Sequence, residues 1–261
     1  MRFLRLLAVF TRIGALSDLA YRANFWFQLL ESTIAVGTAL ATIAVVFSQT
    51  GDLAGWAAPE LVALIGVYYL MLGLLNLVIA PSLTKFMEHV QMGTLDFTLT
   101  KPADAQLLVS IAEVRVWKTI EVALGASVLG AALWRMAGDV GSSEAAAFGV
   151  ALLSGSAIVY SLWLALATLA FWFIRVENIL MIFWNLYWAA RWPVGIYPGW
   201  LRWTLTLLVP VAFAVTVPAE ALSGRLGPET LVGSLALAAA ALVGSRLLWK
   251  AGLRRYAGAS A

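Results

Sequence analysis

The chain has 261 residues, of which 62% are apolar and 12% charged, with twelve tryptophans and a formal net charge of +3. That composition excludes an ordinary soluble domain, and so small a net charge, with the bases gathered at helix ends, excludes a nucleic-acid binder. With no cysteine and a single histidine, the chain also has no means of building disulfides, a thiolate nucleophile or a Cys- or His-rich metal centre.

Residues 1–22 set Arg2, Arg5 and Arg12 among Phe3, Leu4, Leu6, Leu7, Val9, Phe10 and Ile13, a basic amphipathic pattern that predicts a helix lying in the membrane interface. Arg12 breaks the apolar stretch and no small-residue cleavage site follows, so the segment is expected to stay on the mature protein. No charged residue falls between Glu31 and Asp52, between Glu60 and Lys85, or between Glu144 and Arg175. Each gap supplies the roughly 20 helical residues that cross a hydrocarbon core of about 30 Å. Spans are expected at 24–48, 60–82, 106–135, 145–174, 178–192 and 229–249. The third carries Glu113, Arg115, Lys118 and Glu121 in its first half and no charge over 122–134, which predicts a helix that starts outside the bilayer.

The stretch ARWPVGIYPGWLRW, from Ala190 to Trp203, leaves two topologies: seven crossings, or six with 193–217 dipping into the outer leaflet as a re-entrant pair. With six spans and both termini inside, thirteen of the seventeen bases fall on the inner side, leaving Arg135, Arg191, Arg202 and Arg225 outside. Seven crossings would export Arg246, Lys250, Arg254 and Arg255, so the positive-inside rule favours six. Irregular backbone around Pro193 and Pro198 then has to be covered by protein or line a cavity. Tryptophans 26, 56, 134, 172, 192, 200, 203 and 249 fall near the expected span ends, as interfacial anchors do. No internal repeat supports an inverted-repeat transporter.

Between the second and third spans comes a polar interruption, residues 83–104. Phe86, Val90, Gly93 and Phe97 recur at helical spacing, while Lys85, Glu88, Gln91 and Thr98 lie off that face. The pattern fits a short amphipathic helix resting on lipid. It also fits one docking into a partner's groove, with Phe97 as anchor and Gly93 allowing close approach. Glu31, Asn76 and Asn185 are polar groups at membrane depth. Glu31 either snorkels to the inner interface near Arg22 or serves a function, and the asparagines suit hydrogen bonds between helices.

Within the interruption, Gly93, Thr94, Leu95 and Asp96, then Leu99, Thr100 and Pro102, resemble the Gly-Thr-Leu-Glu, Leu-Leu, Thr-x-Pro pattern of ABC-2-type (type V) ABC transporter permeases. Asp96 replaces the usual Glu, and Thr98 stands where leucine is common. FWFIRVENI at 171–179, RWPVGIYP at 191–198 and VPVAFAVTVPAEALSG at 209–224 are similar to a six-span bacterial subgroup of formerly uncharacterised ABC-2 permeases. The resemblance implies an all-α integral membrane protein with six transmembrane helices, an N-terminal interfacial helix, a cytoplasmic coupling helix at 84–102 and a re-entrant helical element before the last span. Joined to the face read from spacing, it implies coupling through Phe86, Val90, Gly93, Thr94, Leu95, Asp96, Phe97 and Pro102. By their own spacing Glu113, Arg115, Lys118 and Glu121 suit exposed charge pairs, either on a solvated helix extension or as cytoplasmic contacts with the ATPase or the N-terminal helix. The implied partners are two ABC ATPase subunits, a second permease subunit and membrane lipid in a bacterial inner membrane. The implied cargo is an amphipathic or lipid-linked molecule. No G-x-x-x-x-G-K-[ST] loop occurs, so no cofactor is expected in this chain, and ATP and Mg are expected on the ATPase. An intramembrane hydrolase would need a base, and His89 lies in the interruption, away from any serine in a span. A scaffold without transport activity is the remaining alternative.

Overall fold

The computed structural model describes residues 22–136, 140–173 and 176–256. The interfacial helix expected at 1–22 lies outside them except for its last residue. Among the described residues the regular elements are all helices. They are α1 (Arg22–Gln49), α2 (Ala58–Gln91), α3 (Asp96–Leu99), α4 (Ala105–Ser110), α5 (Val116–Arg135), α6 (Ser142–Phe171), α7 (Glu177–Ala189), α8 (Gly199–Leu208), α9 (Val211–Leu222) and α10 (Pro228–Leu253). Five of them, α1, α2, α5, α6 and α10, are long and apolar enough to cross a membrane. The chain is an all-α integral membrane protein.

Helices α2 and α5 form the tightest pair, because glycines remove the side chains that would hold them apart. A Cβ added at Gly66 would come within 2.6 Å of the Leu129 backbone nitrogen, and one at Gly73 within 2.6 Å of that of Val122. Gly125 answers from α5, pressed against the backbone at Leu70. Helix α6 packs along α10, with the Ser154 and Ser234 hydroxyls 3.1 Å apart. Gly155 of α6 admits the backbone of Phe213 and Ala214 in α9. By contrast α1 touches α2 and α5 only lightly and leaves Trp26, Phe27, Ile34 and Val45 exposed, as suits a lipid-facing helix.

Two expected spans differ. Helix α7 stops at Ala189, and its 13 residues reach about 20 Å at 1.5 Å per residue, short of the hydrocarbon thickness. Helices α8 and α9 follow, bent by 71° at Val209 and Pro210, the form of a re-entrant element or a broken span. The expected 106–135 helix is likewise interrupted: α4 ends at Ser110 and α5 begins at Val116. The cause lies in α2. Pro81 has no N–H to give the Leu77 carbonyl, so a π-helical turn forms over Leu75–Ile79, and the Arg115 N–H donates to that carbonyl at 2.9 Å. The buried Ser82 hydroxyl completes the splice, donating to the Glu113 carbonyl at 2.8 Å and accepting from the Glu113 N–H at 3.0 Å.

The bundle has two distinct ends. At one, Trp56 is buried beneath the Arg225 guanidinium, 4.9 Å from the ring, and Arg225 pairs with Glu60. At the other, the Gly93 end, Phe86 and Phe171 pack with Trp249, whose ring lies 5.0 Å from that of Phe86. Trp56 and Trp249 therefore belong to the core, whereas Trp26, Trp134, Trp200 and Trp203 stand exposed as anchors would.

Also at the Gly93 end, Arg246 of α10 grips both carboxylate oxygens of Asp104, at 3.0 and 2.5 Å, and Asp104 caps α4 by accepting from the Leu107 N–H. The hydrogen bond from Arg246 holds the Asp104 carboxyl below the ordinary carboxylate value. A lowered folded-state pKa stabilises the fold above the unfolded value, about 4 for aspartate, and that contribution is lost as pH falls through the lowered value. Melting temperatures in detergent should therefore fall as pH drops below about 4. An Asp104→Asn variant, followed over the same range, should lack this component.

Candidate functional site

The polar interruption forms a sharp, well-fixed turn. Helix α2 runs past residue 82 and ends at Gln91. Gly93 adopts φ +68°, a left-handed conformation that glycine takes without strain. The Thr94 N–H donates to the His89 carbonyl at 2.9 Å and the Gly93 N–H to the Val90 carbonyl at 3.2 Å. This pair of bonds is the Schellman closure of a helix. His89 Nδ1 and the Thr94 hydroxyl, 2.7 Å apart, tie the turn a second time. Leu95 is fully buried beyond it, and its N–H donates to the Tyr256 hydroxyl at 3.2 Å.

These facts correct the expected coupling helix at 84–102. No single helix covers it, because Gly93 ends α2 and only Asp96–Leu99 resumes as α3. Phe86 and Phe97 do not share a face: Phe86 is 1% exposed within the aromatic core, and Phe97 is 76% exposed. Leu95 likewise belongs to the core, and Gly93 supplies the left-handed turn. Val90, Thr94 and Asp96 are half-buried, and Pro102 is exposed. The turn also exposes Met92, which the helical-face reading missed since that face ran straight through the glycine. The apolar surface offered here is Met92, Phe97 and Leu99.

A second polar site lies where α1, α2 and α5 meet. Glu121 is 7% exposed, and both its carboxylate oxygens are engaged, Oε1 by Lys118 Nζ at 2.5 Å and Oε2 by Asn76 Nδ2 at 2.9 Å. Lys118 also donates to Gln28 of α1 at 2.8 Å. Asn76 thus bonds helix to helix, as anticipated. Lys118 and Glu121 depart from the expected exposed charge pairs, because the break before α5 turns them inward. Glu113 and Arg115 remain nearer the surface, 3.3 Å apart, with Lys85 3.6 Å from Glu113. Glu31 is exposed on α1 and lines a cleft with Lys118, Glu121, Tyr69, Trp188 and Arg191. Asn185 is exposed on α7 and is not among the cleft's lining residues. Among the described residues no group of acids and histidine could hold a metal ion.

The model of one family, ABC-2 family transporter protein, matches residues 33–260. The chain belongs to the ABC-2 transporter family. No curated protein and no solved structure matches it. As an ABC-2 protein, it is a multi-pass permease subunit of an ABC transporter, a membrane transport component. The match takes in α2 through α10, so the Gly93 turn, the buried Lys118–Glu121 pair and the bent α8–α9 pair all lie inside the family's domain.

Proposed function

We propose that this permease is the membrane half of an ATP-driven exporter, coupled through the Gly93 turn to a separate pair of ATPase subunits that bind ATP and Mg. The observation that carries the reading is Phe97, an aromatic ring 76% exposed on a turn that is itself immobilised. Exposed aromatics on a rigid support are the anchors that partner grooves accept. Lys85, Lys101, Arg115, Lys118 and the bases of α10 and its tail accompany the turn at the same end of the bundle, which supports a cytoplasmic Gly93 end with both termini inside a bacterial inner membrane. In that orientation α8 and α9 are a re-entrant pair dipping from the outer side, and a second permease copy or a related chain completes the pathway for an amphipathic or lipid-linked molecule.

Closure of the ATPase dimer would pull on α3. The pull would pass through the neighbours of Leu95 in the core and through the splice between α2 and α5, where Ser82 and Leu77 hold residues 113–115. Phe97→Ala should weaken ATPase binding on the order of thirtyfold, the loss of one aromatic anchor worth about 2 kcal/mol. Co-purification with the ATPase, together with substrate-stimulated ATP hydrolysis, measures it. Both at wild-type levels in Phe97→Ala would refute the docking assignment.

A further inference from the structure

Two clefts flank α1 and meet at Ala35 and Arg191. One holds Glu31, Lys118 and Glu121; the other continues past Thr38 and Thr42 to Ile43 and Ile65. Together they follow α1 from Glu31 to Ile43, about 18 Å of helix at 1.5 Å per residue. That is more than half of a hydrocarbon core of about 30 Å.

The charges along this groove do not cancel in place. Glu121 is already satisfied by Lys118 and Asn76. That leaves Glu31 and Arg191, both lining the same cleft, and neither forms an ion pair among the described residues. Arg191 lies over the rings of Tyr68 and Trp188, 5.4 Å from each centroid, and its buried Nε has no hydrogen-bond partner among the described residues. Charged groups at membrane depth are expensive and mark substrate and ion paths. The walls around them are apolar and aromatic, with Leu72, Trp184 and Trp192. Thinly packed α1 leaves the groove's flank accessible from the lipid.

We propose that the groove binds an amphiphile whose head group carries both a phosphate and an amine, the phosphate on Arg191, the amine facing Glu31 and the tail along α1. The guanidinium suits a phosphate because it offers several N–H donors in one plane. Two opposite charges that share a cleft without pairing are the complement of a zwitterion. This rests on the permease reading only in taking the bound molecule to be cargo.

The test is calorimetric titration of the full chain, purified in dodecyl maltoside, with short-chain phosphatidylethanolamine, phosphatidylglycerol and diacylglycerol, and with free phosphoethanolamine. Phosphatidylethanolamine should bind most tightly. Arg191→Gln should weaken both phospholipids at least tenfold, and Glu31→Gln should remove only the preference for the amine. Thr38→Trp fills the groove with every charge in place and should also weaken binding at least tenfold, which decides the matter even where Arg191→Gln fails to fold. Wild-type affinity in Arg191→Gln or in Thr38→Trp would overturn the proposal. So would equal binding of diacylglycerol, or of free phosphoethanolamine, the latter assigning the cleft to a soluble ligand. No ATPase is present in this experiment, so a failure to bind leaves the docking of Phe97 standing, and a failure to dock leaves the groove standing.

Discussion

Gly125→Val should strongly destabilise the folded permease. Gly125 sits where α5 crosses α2, and a Cβ there would run into the main chain at Tyr69 and Leu70. Backbone atoms cannot rotate aside as a side chain can, so the two helices must separate. The facing contacts at Gly66 and Gly73 would be lost with the crossing. Overpacking a well-filled core costs about 1–3 kcal/mol, and an obstacle made of backbone belongs at or above the upper limit. Size-exclusion profiles and melting curves in detergent measure the effect. Gly130→Val on the same helix is the control: a Cβ there meets nothing within 4 Å, and stability should change by less than about 0.5 kcal/mol.

Glu121→Leu should be comparably damaging for an electrostatic reason. The carboxylate holds Lys118 and Asn76 at once, and the side chains of the ion pair are only 17% and 9% exposed. Removing the acid leaves a mostly buried ammonium and an amide without their partner, a loss of about 3–5 kcal/mol for buried pairs. The double variant Lys118→Met with Glu121→Leu should recover most of that, because an apolar pair of similar volume is often neutral. A double-mutant cycle on melting temperature separates the two outcomes. A double variant no better than Glu121→Leu would show that the pair orders α5 in some other way.

Much of this architecture is legible in the residues. The charge-free gaps that end at Asp52, Lys85 and Arg175 mark three spans because hydrocarbon excludes charge, and α1, α2 and α6 occupy them. Asn76 is identifiable as a helix-to-helix bonder from its depth, though its partner Glu121 is 45 residues away and has no local trace. What is not legible depends on tertiary contacts. The break at 111–115 contains neither glycine nor proline, and nothing in Ile-Ala-Glu-Val-Arg forecasts it. It exists because Pro81, on another helix, leaves a carbonyl for Arg115. The docking face is misjudged for a related reason. Spacing alone joins Phe86 to Phe97, and only the conformation of Gly93 shows that the chain turns between them. Glycine just past a helical run is itself a stop signal, so the end at Gln91 could have been read by weighing Gly93 as a cap.

The absence of cysteine from the chain offers the most direct measurement of the central claim, since any single substitution then creates one thiol. Phe97→Cys and Met92→Cys place that thiol on the exposed Gly93 turn. Trp134→Cys places it at the far end of α5, where the native ring is 83% exposed. Each variant would be co-expressed with the proposed ABC ATPase partner and treated with a short thiol-to-amine cross-linker. The account predicts a permease–ATPase adduct from residues 92 and 97 and none from residue 134. An adduct from residue 134 alone, or none from residues 92 and 97 in a complex that still co-purifies, would contradict it.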